Sequence, residues 1–278
     1  MRVKLMAGLA ALALSVPALA APGAQENAAA AAAWARGQQM FAYDQAAWHA
    51  SDAFQADIAR ESRDLAALVR EEGLAGYVVE PEAGGALRAT FYGRRQAEPH
   101  AVARYVVAAG KVAGGGFVRR GEESALSPLA LRLIAARNLA LAAMQQGDHP
   151  LCSADQPNTL VLPPDEDDVI SAYVLTATTQ AGVYPAGGHY RFDVGADGKL
   201  AGERRFMKSC FPVDYRKQGG KVAEGLFLTH LLDPQPTEIH AFVRLNIPAE
   251  LYVATVGNGA IWKVGPDRVT YVSDVPRK

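Results

Sequence analysis

Two amphipathic segments, each followed by a set of short β-rich runs, constrain the fold of this chain more than any other feature. In residues 44–72 and 127–146, apolar side chains recur at helical spacing, which predicts two main helices. Gly73 ends the first helix, Asp52 offers a second N-cap that would split it, and Ser127 caps the second helix.

The runs between and after these helices have the composition of strands, with glycine-containing turns separating them. After the first helix, the predicted strands cover residues 77–80, 87–92, 103–108 and 112–118. After the second helix, they cover residues 158–162, 170–178, 189–194, 199–206, 225–230, 238–245, 251–255, 261–264 and 269–272. The pattern predicts an α+β fold, with antiparallel sheet or sheets that carry two main packed helices.

A short repeated motif suggests that the two helix-plus-strand blocks are related. Gly-Lys-apolar-Ala-Gly occurs at 110–114 and again at 198–202, each time in the last hairpin of a block. We therefore expect a tandem helix-plus-four-strand repeat, the alternative being chance similarity between two hairpins. The first unit covers 44–122, and the second covers 123–278 with extra C-terminal strands, either separately or as one continuous domain.

The first twenty residues have the three parts of a secretory signal peptide. Arg2 and Lys4 precede an uncharged apolar run over 6–16, and Ala18-Leu19-Ala20 supplies the cleavage pattern. Residues 21–43 read as an Ala-rich leader, either mobile or a fraying helix. We expect a periplasmic or secreted protein with no transmembrane segment after cleavage.

Charge and cysteine usage narrow the partners and the compartment. The chain has a net charge of −1, and removal of Arg2 and Lys4 makes it −3. Without a basic patch, nucleic acid and anionic membranes are poor candidate partners. Cys152 and Cys210 predict a disulfide in an oxidising compartment, the alternative being two buried thiols. A disulfide between them would close a loop of roughly 60 residues, and closing such a loop stabilises a fold by about 4 kcal/mol.

Standard catalytic signatures are absent, but one histidine-rich set has metal-binding chemistry. The set comprises His189, His230, Glu238 and His240, and it is able to bind zinc. Glu238 and His240 are two residues apart, so on the predicted strand they share a face. The alternative is that no cofactor binds, that Glu238 pairs with a nearby cation, and that the histidines hydrogen-bond backbone groups.

A second set could bind an anion. Arg191 and Arg204 lie near the Gly-Gly turn at 187–188, with Tyr190 beside Arg191. Guanidinium groups bind carboxylate and phosphate through paired hydrogen bonds. The alternative is that the arginines face solvent and pair with Glu203 or Asp193.

Three stretches carry a resemblance to known proteins. They are YDQAAWHASD at 43–52, C…PNTLVLPP at 152–164 and PAGGHYRFDV…DGK…KSC at 185–210. Together they resemble exported proteins of Gram-negative bacteria with no assigned function. The resemblance implies export and a single evolutionary unit, and it transfers no catalytic residues.

These observations favour a non-enzymatic binding or envelope-associated protein whose partner is a small molecule or an envelope protein. The first alternative is a metal-dependent hydrolase, which requires the four histidine-set side chains to converge on one ion. The second is a folding or assembly factor, which requires an exposed apolar patch. A binding protein requires a concave pocket instead. The sequence predicts no oligomeric state.

Overall fold

A computed structural model describes residues 21–119, 122–216 and 225–275, so the predicted signal peptide lies outside the described residues. Within these ranges the helices are α1 (Ala24–Arg60), α2 (Leu65–Glu72), α3 (Pro128–Gln146) and α4 (Glu238–Asn246). The strands of the first half are β1 (Leu74–Pro81), β2 (Leu87–Arg95), β3 (Glu98–Ala108) and β4 (Lys111–Phe117). Those of the middle are β5 (Asn158–Val161), β6 (Ile170–Leu175), β7 (Val183–Pro185), β8 (Tyr190–Val194), β9 (Leu200–Arg205) and β10 (Pro212–Asp214). The last are β11 (Gly225–His230), β12 (Glu250–Thr255), β13 (Ala260–Val264) and β14 (Val269–Asp274).

The described strands form three four-stranded sheets and one two-stranded ribbon. The first sheet has the order β1-β2-β3-β4 and the second the order β5-β6-β8-β9, both antiparallel throughout. β7 and β10 form the ribbon. The third sheet has the order β11-β12-β13-β14, with β11 and β12 parallel. The predicted α+β class is confirmed. In the described part of the chain, no helix combines the length and apolarity needed to cross a membrane.

Helices α1 and α3 pack on opposite faces of the first sheet. Phe91 and Tyr105 face α1: Phe91 stacks on Phe54, and the Tyr105 hydroxyl donates to Asp57. Val78 and Tyr92 face the other way and join a core that α3 shares with the second sheet. This alternation follows from the two-residue period of a strand, and it places α3 between two sheets.

The Ala-rich segment 21–43 is not a separate leader, because most of it is the N-terminal part of the 37-residue α1. Ala30 and Met40 are buried, and Ala30 packs against Trp262 of the third sheet. The expected helix start at Asp44 is therefore wrong. Alanine has the highest helix propensity and takes little space, so this stretch can be both helical and closely packed.

The break between α1 and α2 falls at 61–64, not at Asp52. The Asp64 carboxylate accepts hydrogen bonds from the backbone N–H groups of Ala66 and Ala67 and so begins α2. Gly73 ends α2 in the left-handed conformation, as predicted.

The predicted strand at 238–245 is a helix, α4. Apolar residues alternate there, which suggested a strand, but Ile239, Phe242 and Val243 also follow helical spacing and all three are buried. Topology decides between the two periods. Because β11 and β12 are parallel, their connection must cross over, and a helix is the usual crossover.

Helix α4 crosses α1 at a glycine. A Cβ atom on Gly37 would overlap the Ala241 side chain and would lie 2.8 Å from the carbonyl oxygen of Glu238. Gly37 and Ala241 therefore let the two backbones approach closely.

The two repeated motifs occupy equivalent places in the first and second sheets. In both sheets the register shifts by one residue in the last hairpin, between Val106 and Val107 in β3 and between Asp193 and Val194 in β8. The extra residues on the partner strands are Ala113 and Ala201, the alanines of the two Gly-Lys-apolar-Ala-Gly motifs. The common strand order and bulge position are what a duplication requires.

The predicted disulfide between Cys152 and Cys210 is confirmed, with a sequence separation of 58. It ties the segment before β5 to the segment after β9.

The helix crossing yields a prediction for Gly37→Ala. Alanine gains about 1 kcal/mol of helix propensity, but the overlap with α4 costs about 1–3 kcal/mol, and we expect a net loss of unfolding free energy. Urea denaturation measures it, with the exposed Gln38→Ala as a control that should change stability little. A Gly37→Ala protein as stable as wild type would contradict the close approach.

Candidate functional site

Arginines from three elements meet in one cleft. Its volume is about 240 Å³, and α1, β8, β9 and the segment that leads into α4 form its walls. The lining residues are Ala29, Ala32, Ala33, Arg36, Arg191, Arg204, Gln235, Pro236, Thr237 and Glu238. The structure thus brings together Arg191 and Arg204, as predicted, and adds Arg36, which sequence analysis missed.

Arg191 is held by two carboxylates. Its Nη1 donates to Glu238 Oε1 at 2.6 Å, and its Nε donates to Asp193 Oδ2 at 3.1 Å. Tyr173 donates its hydroxyl to Glu238 as well. Burial disfavours the charge of Arg191, but Tyr173, Glu238 and Asp193 together raise its pKa above the ordinary value. The Arg191–Asp193 contact is one that the sequence analysis named, as part of the alternative in which the arginines face solvent.

Arg204 is held on two sides. Its Nη2 donates to Asp233 Oδ1 at 2.8 Å, and its guanidinium lies 4.9 Å from the centre of the Phe206 ring. Asp233 also accepts from His230. Burial acts to raise the pKa of Asp233, but the hydrogen bond from His230 and the charge of Arg204 lower it overall. A guanidinium has five N–H donors, and Asp233 accepts from one nitrogen, so Arg204 keeps donors for a ligand.

Arg36 reaches the cleft from α1. Its Nη1 donates to the Ser171 hydroxyl at 3.2 Å, and its Nη2 lies 3.8 Å from Asp165 Oδ2. Ser171 in turn donates to Asp193, the partner of Arg191. A chain of polar contacts therefore links Arg36 to Arg191.

Tyr190 does not belong to this cleft. Neighbouring residues of a strand point to opposite faces, so Tyr190 points away from Arg191. Its ring is fully buried with α3 and the second sheet, and its hydroxyl donates to the carbonyl oxygen of Pro150. The prediction that Tyr190 binds the same ligand as Arg191 was wrong.

Glu238 and His240 lie on α4, so the expected shared strand face does not exist. Glu238 pairs with Arg191, which is the alternative raised from the sequence. His240 Nδ1 accepts from the backbone N–H of Thr237 at 3.0 Å, so the neutral ring carries its proton on Nε2. That contact lies at the N-terminus of α4, next to the cleft.

His230 and His240 do come together, with ring centres 4.7 Å apart. His230 Nε2 lies 2.9 Å from Asp233 Oδ2. The remaining nitrogens, His230 Nδ1 and His240 Nε2, are buried without a hydrogen-bond partner in the described structure. Burial, together with His230, lowers the pKa of His240 well below its ordinary value.

His189 lies in a separate backbone pocket. Its Nδ1 accepts from Thr176 N at 3.2 Å, and its Nε2 contacts the Pro185 carbonyl oxygen at 2.8 Å. The preceding Gly188 has φ +71°, and a Cβ there would lie 2.8 Å from Cys152 Sγ. The glycine turn therefore packs closely against the disulfide. His189 hydrogen-bonds backbone groups, which is the alternative to metal binding given in the sequence analysis.

The four histidine-set residues therefore separate into three environments. Across the described ranges, no three histidine, cysteine, aspartate or glutamate side chains are placed to hold one metal ion. The geometry gives the zinc hypothesis no assembled ligand set.

Comparison of the chain with protein-family models, curated proteins and solved structures finds no match.

Guanidinium groups outnumber carboxylates among the residues that line the cleft. Three guanidinium groups line it, but Glu238 is the only carboxylate among its lining residues. Asp165, Asp193 and Asp233 contact the arginines from outside the cleft. The start of α4 adds the positive end of a helix dipole. This arrangement can bind a small anion and orient it, because the guanidinium groups are already fixed.

The burial of His189 predicts loss of stability in acid. Burial lowers its pKa from 6.5 to about 4. The contribution of neutral, buried His189 to the free energy of unfolding is fully present above pH 6.5 and is lost as the pH falls through about 4. The reason is that, between these values, His189 binds a proton readily only in the unfolded chain. The difference amounts to about 3 kcal/mol. Urea denaturation at pH 7.5 and 4.5 measures it.

His189→Gln keeps an acceptor and a donor but cannot titrate, so its stability should fall less between the two pH values. The half-buried His49→Gln is the control and should behave as wild type. Equal pH dependence of wild type and His189→Gln would contradict the assignment.

Proposed function

We propose that the protein is an exported, non-enzymatic binding protein of the bacterial periplasm, and that the Arg36/Arg191/Arg204 cleft binds a small anion with carboxylate or phosphate oxygens. The three guanidinium groups that line the cleft, each already fixed by a carboxylate or hydroxyl partner, carry the proposal. The signal-peptide pattern and the disulfide support the compartment.

The charge arrangement favours a binding role because the arginines are positioned before a ligand arrives. Fixing a long side chain in advance avoids part of the entropy cost of binding. Arg204 and Arg36 each keep N–H donors that the contacts with Asp233 and Ser171 do not use. A planar anion can accept two such hydrogen bonds at once.

Two larger clefts fit a small anion less well. The cleft of about 420 Å³ between α1 and the first sheet is lined mainly by apolar residues such as Phe41 and Leu87. The cleft of about 340 Å³ beside the disulfide has Thr179 and Gln180 as its polar groups and contains no charged side chain. Neither offers a cation to an anionic ligand.

Binding of inorganic phosphate and of succinate by isothermal titration calorimetry tests the proposal. We expect binding of at least one of them, weakened about tenfold or more by Arg204→Gln and by Arg36→Gln, because each removes charged hydrogen bonds. Arg191→Gln is a poorer test, since it would leave the buried Glu238 carboxylate without its cation and destabilise the fold.

The control is Arg268→Gln, whose side chain is 70% exposed beside Asp267 in the turn between β13 and β14. It removes the same charge and should not change the affinity. Equal weakening by Arg268→Gln would indicate a nonspecific charge effect, and no binding of either anion to the wild type would refute an anion site.

Export predicts a shortened chain in the cell. When the full sequence is expressed in a Gram-negative host, the protein should appear in the periplasmic fraction, and intact mass spectrometry should show that residues 1–20 are missing. It should also show no free thiols under denaturing conditions. A full-length chain in the cytoplasmic fraction would contradict this part of the proposal.

A further inference from the structure

A second polar cleft lies on the first sheet, where α3 begins. Its volume is about 310 Å³, and its lining residues are Glu80, Arg88, Thr90, Arg104, Ala125, Leu126 and Ser127. None of these residues lines the Arg36/Arg191/Arg204 cleft. The two clefts can therefore be tested independently.

Strand register brings the polar groups of this second cleft together. Glu80 pairs across the sheet with Arg88, and Thr90 pairs with Arg104. Cross-strand partners share a face, and Arg88 and Thr90 are two apart on β2. All four side chains therefore lie on the face that α3 covers only in part.

Within the part of the chain that the structure describes, one buried group of the cleft has no hydrogen-bond partner. Thr90 is 1% exposed, and its hydroxyl makes no hydrogen bond. Arg88 Nε lies 3.1 Å from Glu82 Oε1 but also makes no hydrogen bond. Buried polar groups normally have partners, so an unpaired hydroxyl in the wall of a polar cleft indicates a position for a ligand atom.

The two cations of this cleft differ in how they are neutralised, because Arg88 contacts both Glu80 and Glu82 whereas Arg104 contacts no carboxylate among the described residues. Arg104 donates only to the backbone carbonyl oxygens of Glu123 and Ala125 in the described structure. Burial and the neighbouring charge of Arg88 lower the pKa of Arg104, although the charge of Glu80 acts in the opposite direction. An anion between Arg88 and Arg104 would relieve their repulsion.

Glu80 supplies the complementary group. Its side chain is 5% exposed and accepts a hydrogen bond from the Ser127 hydroxyl, and its other oxygen lies 3.7 Å from Arg88 Nε. A carboxylate can accept further hydrogen bonds, so a ligand anion here would need a donor of its own to face Glu80.

We propose that the second cleft binds a small carboxylic acid that carries a hydroxyl or ammonium group on the carbon next to its carboxylate. The ligand carboxylate lies between Arg88 and Arg104 and accepts from the Thr90 hydroxyl, and the ligand donor faces Glu80.

Titration of the mature protein with lactate, alanine and propionate tests the proposal. Lactate supplies the hydroxyl donor, alanine the ammonium donor, and propionate neither. We expect one molecule of lactate or alanine to bind per chain, with propionate about tenfold weaker or more, because it leaves the carboxylate of Glu80 without its partner. Whichever of the two binds more tightly identifies the donor.

Thr90→Val keeps the shape of the side chain and removes its hydroxyl, and it should weaken binding of the favoured acid severalfold or more. Arg104→Gln should weaken binding further, whereas Arg94→Gln, at an exposed position on β2, should not. Thermal denaturation confirms that the variants fold.

Arg204→Gln should leave binding of lactate or alanine to the second cleft unchanged. The proposal for the second cleft therefore stands or fails independently of the proposal for the first cleft. Absence of lactate and alanine binding in the wild type would overturn the proposal. So would equal affinity for propionate, or affinity unchanged in both Thr90→Val and Arg104→Gln.

Discussion

The close approach of α1 and α4 at Gly37 and Ala241 is the contact on which the first cleft depends. Arg36 precedes the crossing glycine, and Glu238 lies one turn before Ala241, so the crossing sets both side chains at the cleft wall. A larger residue at position 37 would push α4 away from α1. The geometry of the binding site therefore follows from the absence of one side chain.

The cleft arginines show how a protein can keep cations together without an anion present. Each guanidinium contacts a carboxylate outside the cleft, which reduces repulsion and fixes its orientation. Glu238 alone faces inward, and its bond to Arg191 is shielded from solvent. In the second cleft this arrangement is missing for Arg104, which has only backbone carbonyl partners in the described part of the chain. That difference is why an anion is expected there as well.

Local signals predicted most of the fold. Ser127 marked the start of α3, the strand-like runs at 189–194 and 199–206 marked the β8–β9 hairpin, and the cysteine count predicted the disulfide. Prediction failed where the apolar residues of one segment fit both the two-residue period of a strand and the 3.6-residue period of a helix. Residues 238–245 alternate like a strand, and only the parallel pairing of β11 and β12, a long-range property, requires a helix there.

The candidate site was predicted only in part, because some of its contacts join residues that are far apart in the sequence. Arg191 and Arg204 are close in sequence and on adjacent strands, so their proximity was visible. Arg36 contacts Ser171, 135 residues away, and it lies in a segment interpreted as a leader because alanine gives no amphipathic pattern. Tyr190 was included because it adjoins Arg191, although strand alternation points the two side chains apart.

Amide hydrogen exchange of α1 tests the central claim most directly. If Ala24–Arg60 is one packed helix that forms a wall of the cleft, amides of residues 30–43 should exchange as slowly as those of the central strands β2 and β3, through global unfolding. Exchange of residues 30–43 that is orders of magnitude faster than exchange of 46–58 would show that the Ala-rich half opens on its own. The crossing at Gly37 would then not hold the cleft together.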